Sequence, residues 1–276
     1  MVNGRIPALP SSCVPWSGVQ PLIPLWGFVT QQGSWFAMDR PANVAITQWA
    51  AFSNQPQIDQ AAQLEVLAAV RAQQQEPADA DGSVEVTVEE IQQAVSAAKP
   101  GSSPGPDGIP LLIYKRCKDL LLPLLARVFT AMGALATVAP GFLDGVIVGI
   151  FKSGVPTAAT NYRLITLLNM DYRLLAKVMA NRLQRVLDKI ISPTQTAFIK
   201  GRRIGNNIIT LQLLLHALPS NSRALAVLVD FYKAYDTIDR GFLLSAMEAM
   251  GVGPEYRAWV SLLLTNTRAS AVMNGF

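Results

Sequence analysis

The sequence predicts an α+β fold that is mostly helical and has a small, incomplete antiparallel sheet. Residues 171–191 repeat apolar side chains at helical spacing, and several shorter segments do the same. Residues 145–151 and 224–229 are short apolar runs between breakers, a pattern typical of buried strands. Residues 268–273 alternate polar and small apolar side chains and are followed by an Asn-Gly pair, which predicts one arm of a hairpin. Because the sequence ends at Phe276, we expect the sheet to lack the return strand of that hairpin.

The first 83 residues differ in composition from the rest of the chain. Residues 1–53 are rich in Pro, Gly, Trp and Gln and have no sustained period of two or 3.6. One short helix is predicted at residues 58–74, and a polar, acidic stretch broken by Pro and Gly follows at residues 73–83. We therefore predict a poorly ordered N-terminal segment and linker over residues 1–83 and a folded domain over residues 84–276.

The folded domain begins with a helix that has its own start signal. Thr87 and Glu90 have the spacing of a capping box, in which each side chain accepts a hydrogen bond from a free backbone amide. The helix should end near Lys99. A Gly- and Pro-rich loop follows at residues 101–108, and a long helical pattern then runs from residue 110 to about residue 135. The loop lacks the Gly-Lys-Ser/Thr ending of a phosphate-binding loop, so we discount that function for it.

Residues 171–191 give the clearest helical pattern in the chain. Its apolar stripe consists of Tyr172, Leu175, Ala176, Met179, Leu183, Val186, Leu187 and Ile190, and its opposite faces carry Arg173, Lys177, Arg182, Arg185 and Lys189. Further helices are predicted at residues 204–218, 241–250 and 254–264.

Composition limits the class of protein. Hydrophobic residues make up 50% and charged residues 15% of the chain, as in folded proteins. No apolar stretch reaches the roughly 18 residues of a membrane-spanning helix, and the N-terminus lacks the apolar region of a secretory signal. We expect an intracellular protein, neither secreted nor in a membrane, with the nucleus as one candidate compartment. Cys13 and Cys117 are isolated, and we interpret them as reduced thiols in preference to a disulfide.

The net charge of +4 is unevenly distributed. Residues 1–98 contain three arginines against nine carboxylates, a net charge of −6, whereas residues 99–276 contain twenty cations against ten carboxylates, a net charge of +10. The second part is the candidate polyanion binder, because clustered cations attract phosphates and release counterions on binding. Solvated helix faces could produce the same excess.

Asp230 is the main candidate for chemistry. It ends the predicted strand at residues 224–229, and strand ends open onto functional crevices. Taken alone, a strand-end aspartate is more often a turn former or a helix cap than a catalyst. The same structural interpretation applies to Asp236 and Asp239, of which Asp239 is well placed to cap the next helix. His216 lies among leucines and is interpreted as a core or surface histidine.

The context of Asp230 changes this interpretation. Residues 230–236 resemble the first palm motif of non-LTR (LINE-type) retrotransposon reverse transcriptases, in which an Asp and two variable residues precede Lys-Ala-Phe-Asp. Further segments resemble motifs of the same family and occur in the family's order: residues 99–108, 150–154, 161–169, 176–183 and 191–202. Leu164 departs from the pattern, since the family has proline there, and Thr196-Ala197 replaces the usual Ser-Gly or Thr-Gly.

The resemblance implies a right-hand polymerase fold, with fingers and a partial palm, that performs two-metal nucleotidyl transfer. Asp230 and the backbone carbonyl of Phe231 would bind Mg²⁺, and Tyr235 would be the steric gate against a ribose 2′-hydroxyl, with core packing as the alternative role. Lys152 and Arg163 would hold the triphosphate of a deoxynucleoside triphosphate. Their alternative roles are a surface lysine and an arginine that contacts the backbone.

The resemblance also implies an RNA template and a DNA primer as partners. Lys200, Arg202 and Arg203 would contact the template backbone. The family's Tyr-Ala-Asp-Asp motif, which supplies the remaining metal ligands, does not occur in this sequence. We therefore interpret the chain as a reverse transcriptase truncated after the first palm motif and inactive alone. The alternative is a non-catalytic nucleic-acid-binding module derived from the same family.

Overall fold

The computed structural model describes residues 58–73, 78–154, 161–219, 227–231, 234–235 and 238–272. These residues form nine helices and three strands. The helices are α1 (Gln60–Gln73), α2 (Val88–Ala97), α3 (Leu111–Arg116), α4 (Lys118–Leu135), α5 (Met170–Gln184), α6 (Leu187–Ile190), α7 (Gly205–Ala217), α8 (Arg240–Ala249) and α9 (Pro254–Leu264). The strands are β1 (Asp144–Phe151), β2 (Tyr162–Leu168) and β3 (Arg268–Val272).

The start of α2 confirms the predicted capping box. Thr87 Oγ1 accepts a hydrogen bond from the Glu90 amide at 3.2 Å, and Glu90 Oε2 accepts one from the Thr87 amide at 3.1 Å. These bonds satisfy two amides that have no partner inside the helix. The capped helix then places Ile91, Ala94 and Val95 in the core.

Two predicted long helices are each divided in the structure. The pattern at residues 110–135 forms α3 and α4, because Cys117 leaves helical geometry with φ −103° and ψ 27°. The pattern at residues 171–191 forms α5 and α6, with a break after Gln184. Periodicity in the sequence indicates which side chains share an apolar face. It does not detect a single residue at which the helix ends and the chain changes direction. Cys117 is an exposed free thiol, whereas Cys13 lies outside the described residues.

The core lies among the helices and not on the sheet. Ile91 of α2, Phe129 of α4 and Leu175 of α5 are fully buried. The ring of Phe142 packs edge-on against Phe129 at 6.2 Å and against Tyr172 at 5.8 Å. Residues of α9 close this core from a later part of the chain.

Residues 78–83 pack into this core, which corrects their assignment to a linker. Ala78 and Ala80 are buried, and the Ala78 amide donates to the Gly251 carbonyl at 2.9 Å. A Cβ at Gly82 would lie 2.5 Å from the Tyr256 nitrogen, so only glycine permits this approach. The composition at residues 73–83 resembles that of a linker, but composition does not reveal tertiary contacts. The helix predicted at residues 58–74 is confirmed as α1, while residues 1–57 lie outside the described part.

Arg182 is the most buried charged residue that the structure describes, with 1% exposure. Its Nε and Nη2 donate to the two oxygens of Glu90 at 2.7 and 2.8 Å, Nη1 donates to the Ser83 carbonyl at 2.6 Å, and Nη2 also donates to the Glu85 carbonyl at 2.5 Å. The prediction that Arg182 lies on a polar outer face is wrong. A buried arginine is tolerated here because acceptors surround its guanidinium group.

The sheet has the strand order β2-β1-β3. β1 and β2 are antiparallel, with Gly145 opposite Leu168 and Phe151 opposite Tyr162. β3 runs parallel to β1, with Asp144 opposite Arg268, so the predicted all-antiparallel sheet is wrong. A parallel neighbour requires a long connection, and α5 to α9 lie between β2 and β3 in the chain. The coarser prediction of a mostly helical α+β fold with a small sheet is confirmed; the Asn-Gly turn at residues 274–275 lies outside the described residues.

The segment before Asp230 differs from its prediction. Residues 224–226 lie outside the described part, and Val227, Leu228 and Val229 belong to no strand and are 72%, 94% and 75% exposed. An apolar strand is buried only when neighbouring strands and packed layers cover it. The described strands provide neither for this segment, so the prediction of a fully buried strand is wrong for residues 227–229.

Candidate functional site

Lys152 and Arg163 meet at one end of the sheet. Lys152 follows the last residue of β1, and its amide donates to the Asn161 carbonyl at 2.9 Å. Arg163 lies opposite Ile150 in the β1–β2 register. Residues two apart on a strand share a face, so this register places Lys152 diagonally next to Arg163 on the same face. Both side chains are exposed. The structure therefore brings together two cations that lie eleven positions apart in the sequence.

An aromatic pair on the other face holds this end of the sheet. Phe151 and Tyr162 are cross-strand partners, and their rings meet edge-on at 5.5 Å. Such pairs stabilise one register over a shifted one. A shift by one residue would move Arg163 to the opposite face from Lys152. Leu164, where the family has proline, lies inside β2 opposite Gly149. Position 164 is therefore part of a strand in this structure and not of a turn.

The Gly- and Pro-rich loop at residues 101–108 docks at the other end of β2. A Cβ at Gly105 would lie 2.3 Å from the Asn169 nitrogen, so the loop backbone touches the residue that follows β2. Asn169 Oδ1 accepts from the Asp107 amide at 3.1 Å, and Asn169 Nδ2 donates to the Gly141 carbonyl at 3.1 Å. No local pattern in the sequence reveals these contacts of Asn169. The close contact between Gly105 and Asn169 thus joins two motifs that lie more than sixty residues apart in the sequence.

A half-buried carboxyl group, that of Asp171, lies near this loop. Burial raises the pKa of Asp171, and the charge of Asp107 raises it further. Burial raises the pKa of Tyr114 to about 12, with smaller contributions from the same two carboxylates. These shifts indicate a tightly packed junction between the loop, α3 and α5.

Asp230, Phe231 and Tyr235 are exposed, and none of the three belongs to a helix or strand. Mg²⁺ prefers oxygen ligands, so a carboxylate and a backbone carbonyl have suitable chemistry. A two-metal centre needs several converging carboxylates, and among the described residues no three His, Cys, Asp or Glu side chains lie together. The residues present thus fit only part of a metal site. Asp236 lies outside the described part, and Asp239 caps α8, as predicted, by accepting from the Phe242 amide at 2.6 Å.

Residues 191–204, between α6 and α7, carry Lys200, Arg202 and Arg203 and are named the basic loop here. Arg202 does not project from this loop towards solvent. Its guanidinium group contacts Asp188 Oδ1 through Nε at 3.1 Å and Nη2 at 2.9 Å. It also donates to the carbonyls of Ile191, Ser192 and Gln195 at 3.1, 2.6 and 2.8 Å. These five contacts equal the number of N–H groups that an arginine carries. Arg202 therefore clamps the loop in this structure, and its assignment as a template contact stays a prediction.

Lys200 and Arg203 remain exposed on either side of this clamp. The hydrogen bond from the Arg202 amide to the Ile199 carbonyl, at 3.2 Å, closes a turn in which Gly201 has φ +86°. A turn with positive φ at its third position requires glycine in practice. His216 is exposed on α7, in agreement with the surface alternative. None of the helices in the described ranges has the length and apolarity that crossing a bilayer requires.

Comparison with known proteins shows which family the second half of the chain resembles. Residues 150–275 match the sequence profile of the family described as reverse transcriptase (RNA-dependent DNA polymerase). This range contains Lys152, Arg163, Asp230 and the basic loop. Residues 150–275 are thus similar in sequence to reverse transcriptases.

A relative from Xenopus laevis gives a more particular comparison. The chain is 28% identical over 190 residues to the transposon TX1 uncharacterized 149 kDa protein. The alignment covers 68% of this chain and 14% of the relative's length. Together with the family match, this similarity confirms the resemblance to reverse transcriptases of non-LTR retrotransposons.

Proposed function

We propose that this chain supplies the nucleotide- and template-binding part of an RNA-directed DNA polymerase of a non-LTR retrotransposon. The paired cations Lys152 and Arg163 carry the proposal. Two exposed positive charges on one face of an antiparallel pair suit the triphosphate of a deoxynucleoside triphosphate, because charge-assisted hydrogen bonds to phosphate are strong and arginine can bind in a bidentate manner. In this proposal the family division into fingers and a partial palm applies to residues 84–276.

A nucleotide-binding assay tests this role. We expect Lys152→Ala and Arg163→Ala each to weaken binding of a fluorescent deoxynucleoside triphosphate about 10- to 100-fold, which corresponds to the loss of one charged hydrogen bond. Arg268→Ala is the matched control. Arg268 is exposed and pairs with Asp144 at the start of β1, about 26 Å along the strand from Lys152. Equal losses in all three variants would show that the sheet end has no special role.

The proposed metal site comprises only part of a two-metal centre. Asp230 and the carbonyl of Phe231 would contribute oxygen ligands to Mg²⁺, which when bound activates the primer hydroxyl and offsets the charge of the triphosphate. Tyr235 would exclude ribose substrates. Since the sequence contains no adjacent pair of aspartates, we expect the 276-residue chain alone not to extend a primer.

A non-catalytic nucleic-acid-binding module is the second candidate function. The exposure of Asp230, outside any strand and without neighbouring carboxylates among the described residues, favours it. Primer extension on an RNA template with Mg²⁺ separates the candidates. Incorporation that disappears in Asp230→Ala would overturn the expectation of an inactive chain, whereas salt-dependent RNA binding without incorporation would support the binding module.

A further inference from the structure

The basic loop presents an aromatic side chain that has no structural role among the described residues. Phe198 is 86% exposed, although phenylalanine is usually buried. Its backbone has φ +63°, a left-handed conformation that is unfavourable for any residue with a side chain other than Asn or Asp. The protein thus places an apolar ring in water and strains its backbone to do so. Strain of this kind persists only where the surrounding structure imposes it.

Arg202 imposes this conformation on the loop. It joins the turn at residues 192–195, the turn at residues 199–202 and Asp188 on α6 through the contacts described above. Phe198 lies between the two turns. The ring is consequently presented by a loop that is fixed at both ends, which reduces the entropy lost when a ligand binds.

The charge around Phe198 identifies the kind of ligand. From residue 189 to residue 229 the sequence contains five cations and no carboxylate. The nearest carboxylate before this stretch, Asp188, is paired with Arg202 at 2.9 Å. Lys200 and Arg203 are exposed in the same loop as the ring. An exposed aromatic ring in the same loop as exposed cations is typical of surfaces that bind single-stranded nucleic acid, where bases stack on rings and cations contact phosphates.

We propose that Phe198 stacks on an unpaired base of the RNA template, with Lys200 and Arg203 on the flanking phosphates and Arg202 as the positioning residue. This inference rests on the template-binding role in the proposed function and adds a base contact to it. A duplex would hide the faces of its bases, so the site selects a single strand. Stacking is tolerant of sequence, so this contact adds affinity without base specificity.

The test compares a labelled single-stranded RNA with an abasic oligomer of equal length, each titrated with the full chain. We expect Phe198→Ala and Phe198→Leu to weaken RNA binding roughly 5- to 100-fold, the range for loss of one stacked base. Neither substitution should change binding of the abasic oligomer, and Phe198→Tyr should bind RNA like the wild type. Leu120→Ala, on an exposed leucine of α4, is the control and should change nothing.

The leucine variant distinguishes stacking from apolar docking. Wild-type RNA affinity in Phe198→Leu, or an equal loss for both oligomers in Phe198→Ala, would overturn the stacking inference. Lys200→Ala and Arg203→Ala test the underlying template contact separately. Each substitution should weaken binding of both oligomers. It should also reduce the magnitude of the slope of log affinity against log salt by about 0.7. Unchanged slopes would refute the template contact itself.

Discussion

Replacing Arg182 by methionine removes a buried guanidinium group and retains a long side chain. In the wild type both oxygens of Glu90 accept from Arg182, and the Glu90 side chain is only 15% exposed. The carbonyls of Ser83 and Glu85 each lose a donor as well, although Ser83 keeps a 3.2 Å hydrogen bond from Trp259 and Glu85 keeps a 3.4 Å one from Ser83 Oγ. Removing one partner of a buried ion pair costs about 3–5 kcal/mol. We expect the free energy of unfolding of Arg182→Met to fall by that amount.

Urea unfolding followed by circular dichroism measures this loss. The dependence of the free energy on urea should stay unchanged, because the variant buries a similar surface. Arg185→Met is the control on the same turn of the chain. The Arg185 side chain is 62% exposed and lies 4.0 Å from Asp81, so its loss should change the free energy of unfolding by less than about 0.5 kcal/mol.

The pH dependence provides a second measurement. The hydrogen bond from Arg182 lowers the pKa of Glu90 below its ordinary value of 4.5. A carboxyl group whose pKa is lowered by folding stabilises the fold fully at pH values above its ordinary pKa. This contribution is lost as the pH falls through the lowered pKa. The difference between wild type and Arg182→Met should therefore shrink in acid. A loss below about 1 kcal/mol near neutral pH, or a difference that acid leaves unchanged, would refute the reasoning.

Three further predictions concern packing and ionisation. Burial raises the pKa of Tyr114 from 10.0 to about 12. The free energy of unfolding of the wild type should therefore fall by up to about 3 kcal/mol as the pH rises from 10 to about 12. In the same alkaline titration Tyr114→Phe should lose less. A Cβ at Gly133 would lie 2.3 Å from the buried indole ring of Trp259, so thermal unfolding should show Gly133→Ala destabilised by about 1–3 kcal/mol, whereas Gly205→Ala, with open space around it, should not be destabilised. Thr196 Oγ1 is buried without a hydrogen-bond partner among the described residues, so Thr196→Val should match or exceed the wild-type melting temperature, and a clear decrease would contradict this prediction.

Local signals in the sequence predicted helix positions well. The capping box at Thr87 and the cap at Asp239 each depend on a few neighbouring residues, and both occur as predicted. The direction of β3 depends on a connection through five helices, which no local pattern encodes. The pattern at residues 268–273 therefore predicted a strand correctly, but the predicted orientation relative to β1 was wrong.

The error at Arg182 has a different origin. Arg182 follows Met179 by three positions, Val178 by four and Leu175 by seven, so helical geometry places it on the buried stripe. Its charge led to the outer-face interpretation. Among the candidate site residues, Lys152 and Arg163 lie at the ends of adjacent strands. Strand register therefore places these two side chains next to each other, and it gives no such information on the other candidates. Arg202 could not be recognised as a clamp, since all five of its contacts are to carboxylate or carbonyl oxygens of residues 188–195, whose positions depend on how that segment folds.

The buried network around Arg182 also bears on how the chain folds during its synthesis. Glu90 is made 92 residues before Arg182. At a synthesis rate of about 5–20 residues per second, Glu90 and the apolar face of α2 wait roughly 5 to 18 s for their partner helix. During that interval Ile91 and Ala94 lack the cover of α5, and a nascent chain in this condition is a substrate for chaperones. A shorter protein that begins at residue 150 would present the opposite problem, because it would contain Arg182 and never receive the carboxylate that neutralises it.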